Sequence, residues 1–409
     1  MLLYRLPSKL FYIHKMKGVL ITVSYWLMFM AATGQSWQQR ADFGGLERDD
    51  AAAFVINNQA YVTTGFAAGF QYMNDLWRYD NALDTWTQMA DFSGSPRQYA
   101  VAVSIGNSGY AGMGIDLNQQ YMNDWFRYDE ISNSWTQVSS LPASGRSGCS
   151  TFVSGNQGFV AFGNDGIHKL NQLWCYDALN DSWSQKSALP ASGRFRAVAV
   201  SDGLNGYAGL GLDTAGNMLN DFWKYDIIND TWTALQNFQG SARAYATAFF
   251  YNQNCFVGLG IDTALQLSNE MFAYNILTGQ WSVLNNFNGL PRKGAVSFMI
   301  NDSAFILTGI DQANNRLKDV WLCNNITALN EQASNYKFTV WPVPAHQLLY
   351  FENKNAIKVA IEIFDTKGHC VIYQNTTTGK VEIEKLKPGI YNIRMHKLNR
   401  IYYSRFIKI

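Results

Sequence analysis

Residues 97–138 read RQYAVAVSIGNSGYAGMGIDLNQQYMNDWFRYDEISNSWTQV. Turn-forming residues, Gly106-Asn107 and Ser132-Asn133 among them, cut this stretch into short runs of β-branched, aromatic and small residues. Such runs, bounded by Gly, Asn and Ser, read as antiparallel hairpins. The pattern predicts four strands, at 99–105, 108–115, 124–129 and 134–138. No sustained helical period competes with that reading.

The unit recurs. Trp37, Trp86, Trp135, Trp183, Trp232 and Trp281 stand 49, 49, 48, 49 and 49 residues apart. Three further series keep step with them: Gly65, Gly114, Gly163, Gly211, Gly260 and Gly309; Arg48, Arg97, Arg146, Arg194, Arg243 and Arg292; and the rings Trp77, Phe126, Trp174, Trp223, Phe272 and Trp321. One four-stranded sheet cannot bury both faces alone, whereas sheets set radially about an axis bury one another. The expected fold class is all-β, a six-bladed β-propeller over residues 36–325 followed by a small β-sandwich. The first strand of each unit is expected nearest the axis, where Ala51 to Ala53, Ala100, Ala102, Ala197 and Ala199 suit the narrow space. Rings fill the wedge farther out. Trp77 with Tyr79, and Trp174 with Tyr176, sit two apart and so share one face of a strand. The sixth copy ends at its third strand (319–324), and a lone SWQQR (36–40) precedes the first copy. That N-terminal strand is expected to complete the last blade and remove two free edges.

These motifs resemble the kelch family over residues 36–325. The carriers are the Arg before each first strand, the Gly closing each second strand, the aromatic-x-Tyr-Asp of Trp77 to Asp80 on the third, and the Trp on the fourth. That family doubles the Gly. Here its first member is replaced by Thr64, Met113, Phe162, Leu210, Leu259 and Thr308, so the set is similar to galactose-oxidase-like kelch propellers.

Both ends carry addresses. The apolar run GVLITVSYWLMFM (18–30) follows Lys15 and Lys17 and precedes the small residues AATGQ, which reads as a secretory signal peptide over 1–34 cleaved near Gly34. Thirteen helical residues rise about 20 Å, too short for a bilayer core of about 30 Å. Met16-Lys17 reads as a natural start. At the other end a polar connection, ITALNEQASN (326–335), leads into alternating runs such as KVAIEIF (358–364) and GIYNIRM (389–395), which predict the β-sandwich over 336–409. WPVPA (341–345), IFDTKG (363–368), LKPGIYNIR (386–394) and RFIKI (405–409) resemble the sorting domain of the type IX secretion system of Bacteroidota. The resemblance implies secretion machinery as a partner, and a secreted or outer-surface location.

With 47% hydrophobic and 15% charged residues, a disordered chain is excluded. The net charge of +1 divides into +4 over 1–34, −9 over 35–330 and +6 over 331–409. An acidic middle does not suit nucleic acid or an anionic membrane as ligand. Cys149, Cys175, Cys255, Cys323 and Cys370 show no CxxC spacing and are expected as mostly buried thiols.

Chemistry is sparse. His168 is the one histidine of the propeller; His14, His346, His369 and His396 lie outside it. The copper centre implied by galactose-oxidase-like relatives needs two His, which a single one does not supply. Zinc is equally unindicated, so no metal or cofactor is expected. G-x-S-x-G, H-E-x-x-H and phosphate-loop motifs are missing from the sequence, and no catalytic residue is nominated.

Nineteen residues after five of the in-phase arginines stands an aspartate, giving the expected structural pairs Arg97–Asp116, Arg146–Asp165, Arg194–Asp213, Arg243–Asp262 and Arg292–Asp311. In the first copy Ala67 takes the Asp place, so Arg48 lacks that partner and is followed by Asp49 and Asp50. With Gln98, Tyr99, Phe195, Arg196, Tyr245 and Lys293, these are expected to rim the channel mouth. Stacking rings beside charged hydrogen-bonding groups suit sugars, carboxylated ones included, or a peptide. The expectation is a secreted or surface-displayed, monomeric binding propeller without catalysis, its partner a glycan or an extracellular protein or peptide. Two alternatives stand beside it. Some kelch propellers are cofactor-free sugar-acid epimerases or mutarotases, which the resemblance implies as an enzyme reading; the other is a structural surface or adhesion protein.

Overall fold

Asn57 and Asn58 both sit at positive φ (49° and 62°) and bring Ala52–Ile56 back against Gln59–Thr63. Asn tolerates this left-handed backbone better than most residues, and the two-residue turn matches the twist of the flanking strands. Hairpins of this kind build the molecule. The computed structural model describes residues 36–324, 326, 336–353, 359–365, 370–397 and 400–409. The expected signal peptide over 1–34 lies outside the described residues, as do His14, His369 and the connection 326–335 save Ile326.

Among the described residues, six four-stranded antiparallel sheets follow the sequence repeats. Their first strands are Ala52–Ile56, Val101–Ile105, Ser150–Ser154, Val198–Ser201, Thr247–Tyr251 and Val296–Ile300. Each touches the next, and the last returns to the first. Ser36–Arg40 forms the outer strand of the sheet of Val296–Ile300, pairing antiparallel with Val320–Asn324 in the register Trp37↔Cys323. The chain's two propeller ends thus share one blade, which leaves no open edge at the seam.

Two rings of backbone hydrogen bonds lock this circle at one end of the axis. In the inner ring, the N–H of Asp50 donates to Gly294 O, Tyr99 to Asp50, Gly148 to Tyr99, Arg196 to Gly148, Tyr245 to Arg196 and Gly294 to Tyr245, at 2.9–3.4 Å. In the outer ring, Gly65, Gly114, Gly163, Gly211, Gly260 and Gly309 donate to the carbonyls of Arg97, Arg146, Arg194, Arg243, Arg292 and Arg48, at 2.8–2.9 Å. These glycines have φ between 86° and 104°. The residue before each, Met113 for example at φ 53°, is left-handed too. That double reversal ends the second strand at Gly112, short of the expected 115, and returns Ile115–Asp116 to pair with Arg97–Gln98. The first strand accordingly starts at Val101, not at 99.

Farther out, rings fill the widening wedge. Tyr79, Tyr128, Tyr176, Tyr225 and Tyr274 lie across the strand pair from Trp86, Trp135, Trp183, Trp232 and Trp281, with ring centres 4.8–5.2 Å apart. Contacts at this spacing add about 0.5–1.5 kcal/mol each beyond the area they bury. The indole N–H of Trp86, Trp135, Trp183, Trp232 and Trp281 donates to a backbone carbonyl of the preceding repeat, tying neighbouring blades.

The C-terminal segment forms a five-stranded sheet and a three-stranded sheet. Alternate residues of Val359–Phe364 and Gly389–Lys397 point into one apolar core, where Ile361, Ile363, Ile393, Leu349 and Val381 are fully buried.

Gly211→Ala and Gly216→Ala separate packing from backbone strain. Both positions have positive φ (95° and 85°), but a Cβ at Gly211 meets Phe195 O at 2.8 Å, while one at Gly216 meets nothing within 4 Å. Urea denaturation is expected to show a loss of about 1 kcal/mol for Gly216→Ala. Gly211→Ala, with backbone to displace, is expected to lose about 3 kcal/mol or more. Equal losses would mean that the outer ring tolerates a side chain.

Candidate functional site

The six in-phase arginines are buried, each 1% exposed or less. Arg97 shows how a buried guanidinium is satisfied. Its Nε donates to Ser95 O (2.8 Å), its Nη1 to Met113 O (3.0 Å) and Asp124, and its Nη2 to Asp124 Oδ2 (2.8 Å). Its face lies on the Phe92 ring, 5.0 Å from the centroid. Arg48, Arg194 and Arg292 repeat the two-nitrogen contact with Asp75, Asp221 and Asp319, Arg243 meets Glu270 through Nη2, and Arg146 meets Gln172.

This corrects the pairs expected from the sequence. Arg97 and Asp116, Arg194 and Asp213, Arg243 and Asp262, and Arg292 and Asp311 face one another as backbone register partners. Arg146 and Asp165 adjoin the Ser147↔Asn164 bridge. Their side chains part, however. Asp116 accepts from the backbone N–H of Asn118 and Gln120, and Asp165, Asp213, Asp262 and Asp311 do likewise in their own loops. A short carboxylate finds backbone donors two to four residues on before it can reach a guanidinium. The longer arginine turns inward to the acid 27 residues on. Arg48, expected as an unpaired rim group, binds Asp75 and Thr64 O like its counterparts and leaves the rim.

The rim is made by the inner ring of hydrogen bonds. Its six residues, Asp50, Tyr99, Gly148, Arg196, Tyr245 and Gly294, all sit at φ between 58° and 65°. Their side chains converge on the axis. The Arg196 guanidinium lies 3.4 Å over the Tyr99 ring and 4.6 Å from that of Tyr245, and its Nη2 is 2.8 Å from Asp50 Oδ1. The charge contact is close but off-line: Nε and Nη2 of Arg196 and Oδ1 of Asp50 are buried without a directed hydrogen bond. Lys293 Nζ stands 5.5 Å from the Tyr245 ring. These groups open on a cup of about 80 Å³, walled by Asp50, Cys149, Arg196 and Tyr245 over alanines. Beneath it runs the axial channel, about 200 Å³, lined by Ala53, Ala102, Thr151, Ala199, Ala248 and Ser297.

The other rim residues are peripheral. Asp49 pairs with Arg316 at 2.7 Å, Gln98 donates to Tyr72 Oη at 3.3 Å, and the Phe195 ring carries Lys169 Nζ at 4.7 Å. Nothing in the sequence pattern assigns a mouth role to Cys149, Lys169 or Arg316, which the structure places beside these residues. The signal for the ring was the position two after each arginine, which twice carries Gly. His168 is a loop residue with an exposed side chain. Among the described residues the Cys175, Cys255 and Cys323 side chains are buried, Cys149 is half-buried and Cys370 exposed. No group of three metal-ligating side chains occurs among the described residues.

Burial dominates the electrostatics of the cup. It pushes the Asp50 carboxyl up to about 7 against the opposing pull of Arg196, with Asp49 adding to the rise and Lys293 opposing it. Burial also raises the phenols of Tyr99 and Tyr245 and pushes the Cys149 thiol up to about 12.

Below the unfolded carboxyl value of about 3.9, both states hold the Asp50 proton. Between there and about 7, the folded chain keeps a proton that the unfolded chain has released, so stability falls as pH rises through that window. Asp50→Asn cannot ionise and is expected to flatten this fall. Denaturant melts from pH 5 to pH 8 measure it, and an unchanged slope in the variant would clear Asp50 as its source.

Residues 24–205 match the sequence model of the KLHDC2/KLHL20/DRC7 Kelch-repeats domain, and residues 339–409 that of the Secretion system C-terminal sorting domain. A search of curated proteins finds no match. Among solved structures, one titled "Structure of YjhT" superposes with a TM-score of 0.60 at 19% identity, covering 68% of this chain and 96% of its own. No helix among the described residues is long and apolar enough to cross a membrane. The chain carries a kelch-type propeller and a C-terminal sorting domain of the type IX secretion system, which directs it to the cell surface or beyond.

Proposed function

We propose that this exported propeller binds a glycan at the channel mouth, an acidic group of the sugar entering the cup walled by Asp50, Arg196 and Tyr245, with Tyr99 stacked on Arg196. The observation that carries the reading is strain. The inner ring demands left-handed backbone six times, yet only Gly148 and Gly294 are glycines. Asp50, Tyr99, Arg196 and Tyr245 each hold a conformation that costs an L-residue about 1–2 kcal/mol. Such outliers persist where a site uses the side chain. Asp50, Arg196 and Tyr245 face the cup and Tyr99 stacks on Arg196, and all four are polar, aromatic or charged. Arg196 and Asp50 hold each other as an ion pair at 2.8 Å without a directed hydrogen bond, which leaves donor and acceptor directions open to a ligand. The cup admits only the tip of a ligand, so the remainder lies across the rim toward Gln98 and Phe195. A peptide is the other occupant of matching chemistry.

One observation favours a second reading as a sugar-acid mutarotase: a carboxyl near neutrality, Asp50, beside two phenols and a guanidinium. General acid–base work is most effective when the group's pKa lies near the working pH.

A glycan array with the full chain, beside a sialic-acid anomer-exchange assay, tests both. Tyr99→Gly and Arg196→Gly adopt the residue already present at two ring positions. Each is expected to shift Tm by no more than about 3 °C, since relief of strain offsets lost stacking. Affinity for the array ligand is expected to fall more than about tenfold. Equal affinity in both variants would move the site away from the cup. Turnover that Asp50→Asn abolishes would establish the second reading, and silence in both assays would leave a protein or peptide as the partner.

A further inference from the structure

Five of the six buried arginines meet an acid. Arg146, in the third repeat, meets the neutral Gln172 and is itself 0% exposed. Gln172 Oε1 accepts from Arg146 Nη2 at 3.0 Å and from Trp174 Nε1 at 3.1 Å. Two donors on one atom make that atom the amide oxygen. In the next repeat the same two bonds, from Arg194 Nη2 and Trp223 Nε1, go to Asp221 Oδ2, both at 2.7 Å, and Oδ1 takes Arg194 Nη1 at 2.6 Å. With Oε1 taking both bonds, the other terminal atom of Gln172 is its amide nitrogen, a donor that cannot take the part Asp221 Oδ1 plays.

Arg146 Nη1 has lost its other acceptor as well. Its counterparts donate to the carbonyl 16 residues on, as Arg97 does to Met113 and Arg194 to Leu210. The corresponding carbonyl of Phe162 accepts from Cys149 Sγ instead, at 3.6 Å. Nη1 is therefore a buried cationic donor with no partner, and burial draws the pKa of the Arg146 guanidinium down. In the repeats of Arg48, Arg97, Arg194 and Arg292 a carboxylate oxygen sits on Nη1, and Arg243 meets its acid through Nη2, whereas the third repeat sets a guanidinium beside an amide nitrogen, both of which only donate. The acids at this position are 14–50% exposed and Gln172 is half-buried, so solvent reaches that side chain, while Arg146 Nη1 behind it is buried.

We propose that a small monovalent anion of chloride size binds between Arg146 Nη1 and Gln172 Nε2, supplying the charge that a carboxylate supplies in the other repeats. Asp165 acts on the Arg146 charge without bonding it and spends its carboxylate on its own loop, so a water would answer the free donor but place no charge beside Nη1.

The repeats provide their own controls. Thermal melts of the full chain at fixed ionic strength, in sodium chloride against sodium gluconate, are expected to show Tm about 2 °C higher in chloride, because a ligand that binds only the folded state raises Tm. Gln172→Glu places an acid where Glu270 already serves, and is expected to lose the chloride response. Asp221→Asn is expected to acquire one. Crystals grown in bromide are expected to show an anomalous peak within about 3.5 Å of Arg146 Nη1. A wild-type Tm indifferent to chloride, a response undiminished in Gln172→Glu, or a bromide crystal without that peak would each overturn the proposal. If Asp221→Asn does not fold, the wild type, Gln172→Glu and the bromide crystal still decide.

Discussion

A guanidinium withdrawn from water carries five donors and a charge, and all of them need partners. This chain meets that demand around one axis, with an arginine four residues before each innermost strand. Five of the six draw together three pieces of their blade: their own loop carbonyl, the turn that ends the second strand, and the acid that opens the third, as Arg97 does; Arg146 is the exception. The ring beneath it, Phe92 in the case of Arg97, belongs to the loop that follows the fourth strand of the previous repeat. A broken arginine would leave a buried charge unpaired, which costs more than the pair itself contributes. The loops at one end of the propeller are therefore held to a common geometry, and the two hydrogen-bonded rings follow from it.

Those rings divide backbone strain into two kinds. The outer ring needs glycine because a Cβ would meet the neighbouring backbone, as Gly65 shows against Asp49 O at 2.8 Å. There the strain serves closure alone. The inner ring needs the left-handed conformation, and a Cβ there meets side chains rather than backbone, as at Gly294 against Asp50 Oδ1 (2.7 Å) and Gly148 against Arg196 Cδ (3.1 Å). Here Asp50, Arg196 and Tyr245 wall one small cup, with Tyr99 stacked on Arg196. A symmetric frame thus presents an asymmetric set of groups, which a repeat architecture requires before it can recognise an asymmetric ligand.

The third repeat departs from its neighbours twice. It is one residue shorter in the tryptophan series, and it replaces an acid by Gln172. Cys149, beside the cup, takes the carbonyl that the arginine gives up. Both departures lie on the face that carries the cup. The variation of this propeller is concentrated there, while the aromatic wedges behind it repeat with ring spacings that differ by 0.4 Å across five blades.

Periodicity made the blades, the axial alanines and the closing strand around Trp37 legible, because each depends on spacing and on side-chain size. The same spacing misled for the arginines. Asp116 is the backbone neighbour of Arg97, but side-chain length and nearby N–H groups, not register, choose the partner. Of the mouth residues named from the sequence, Asp50, Tyr99 and Tyr245 meet around Arg196, whereas Arg48 turns away to Asp75. The amino-acid sequence by itself determined how many times the sheet recurs and which faces are buried, since repeated apolar and aromatic positions must cover one another. Only the tertiary structure decided which polar groups face each other, since that depends on the direction in which a left-handed backbone aims each side chain once the circle is closed.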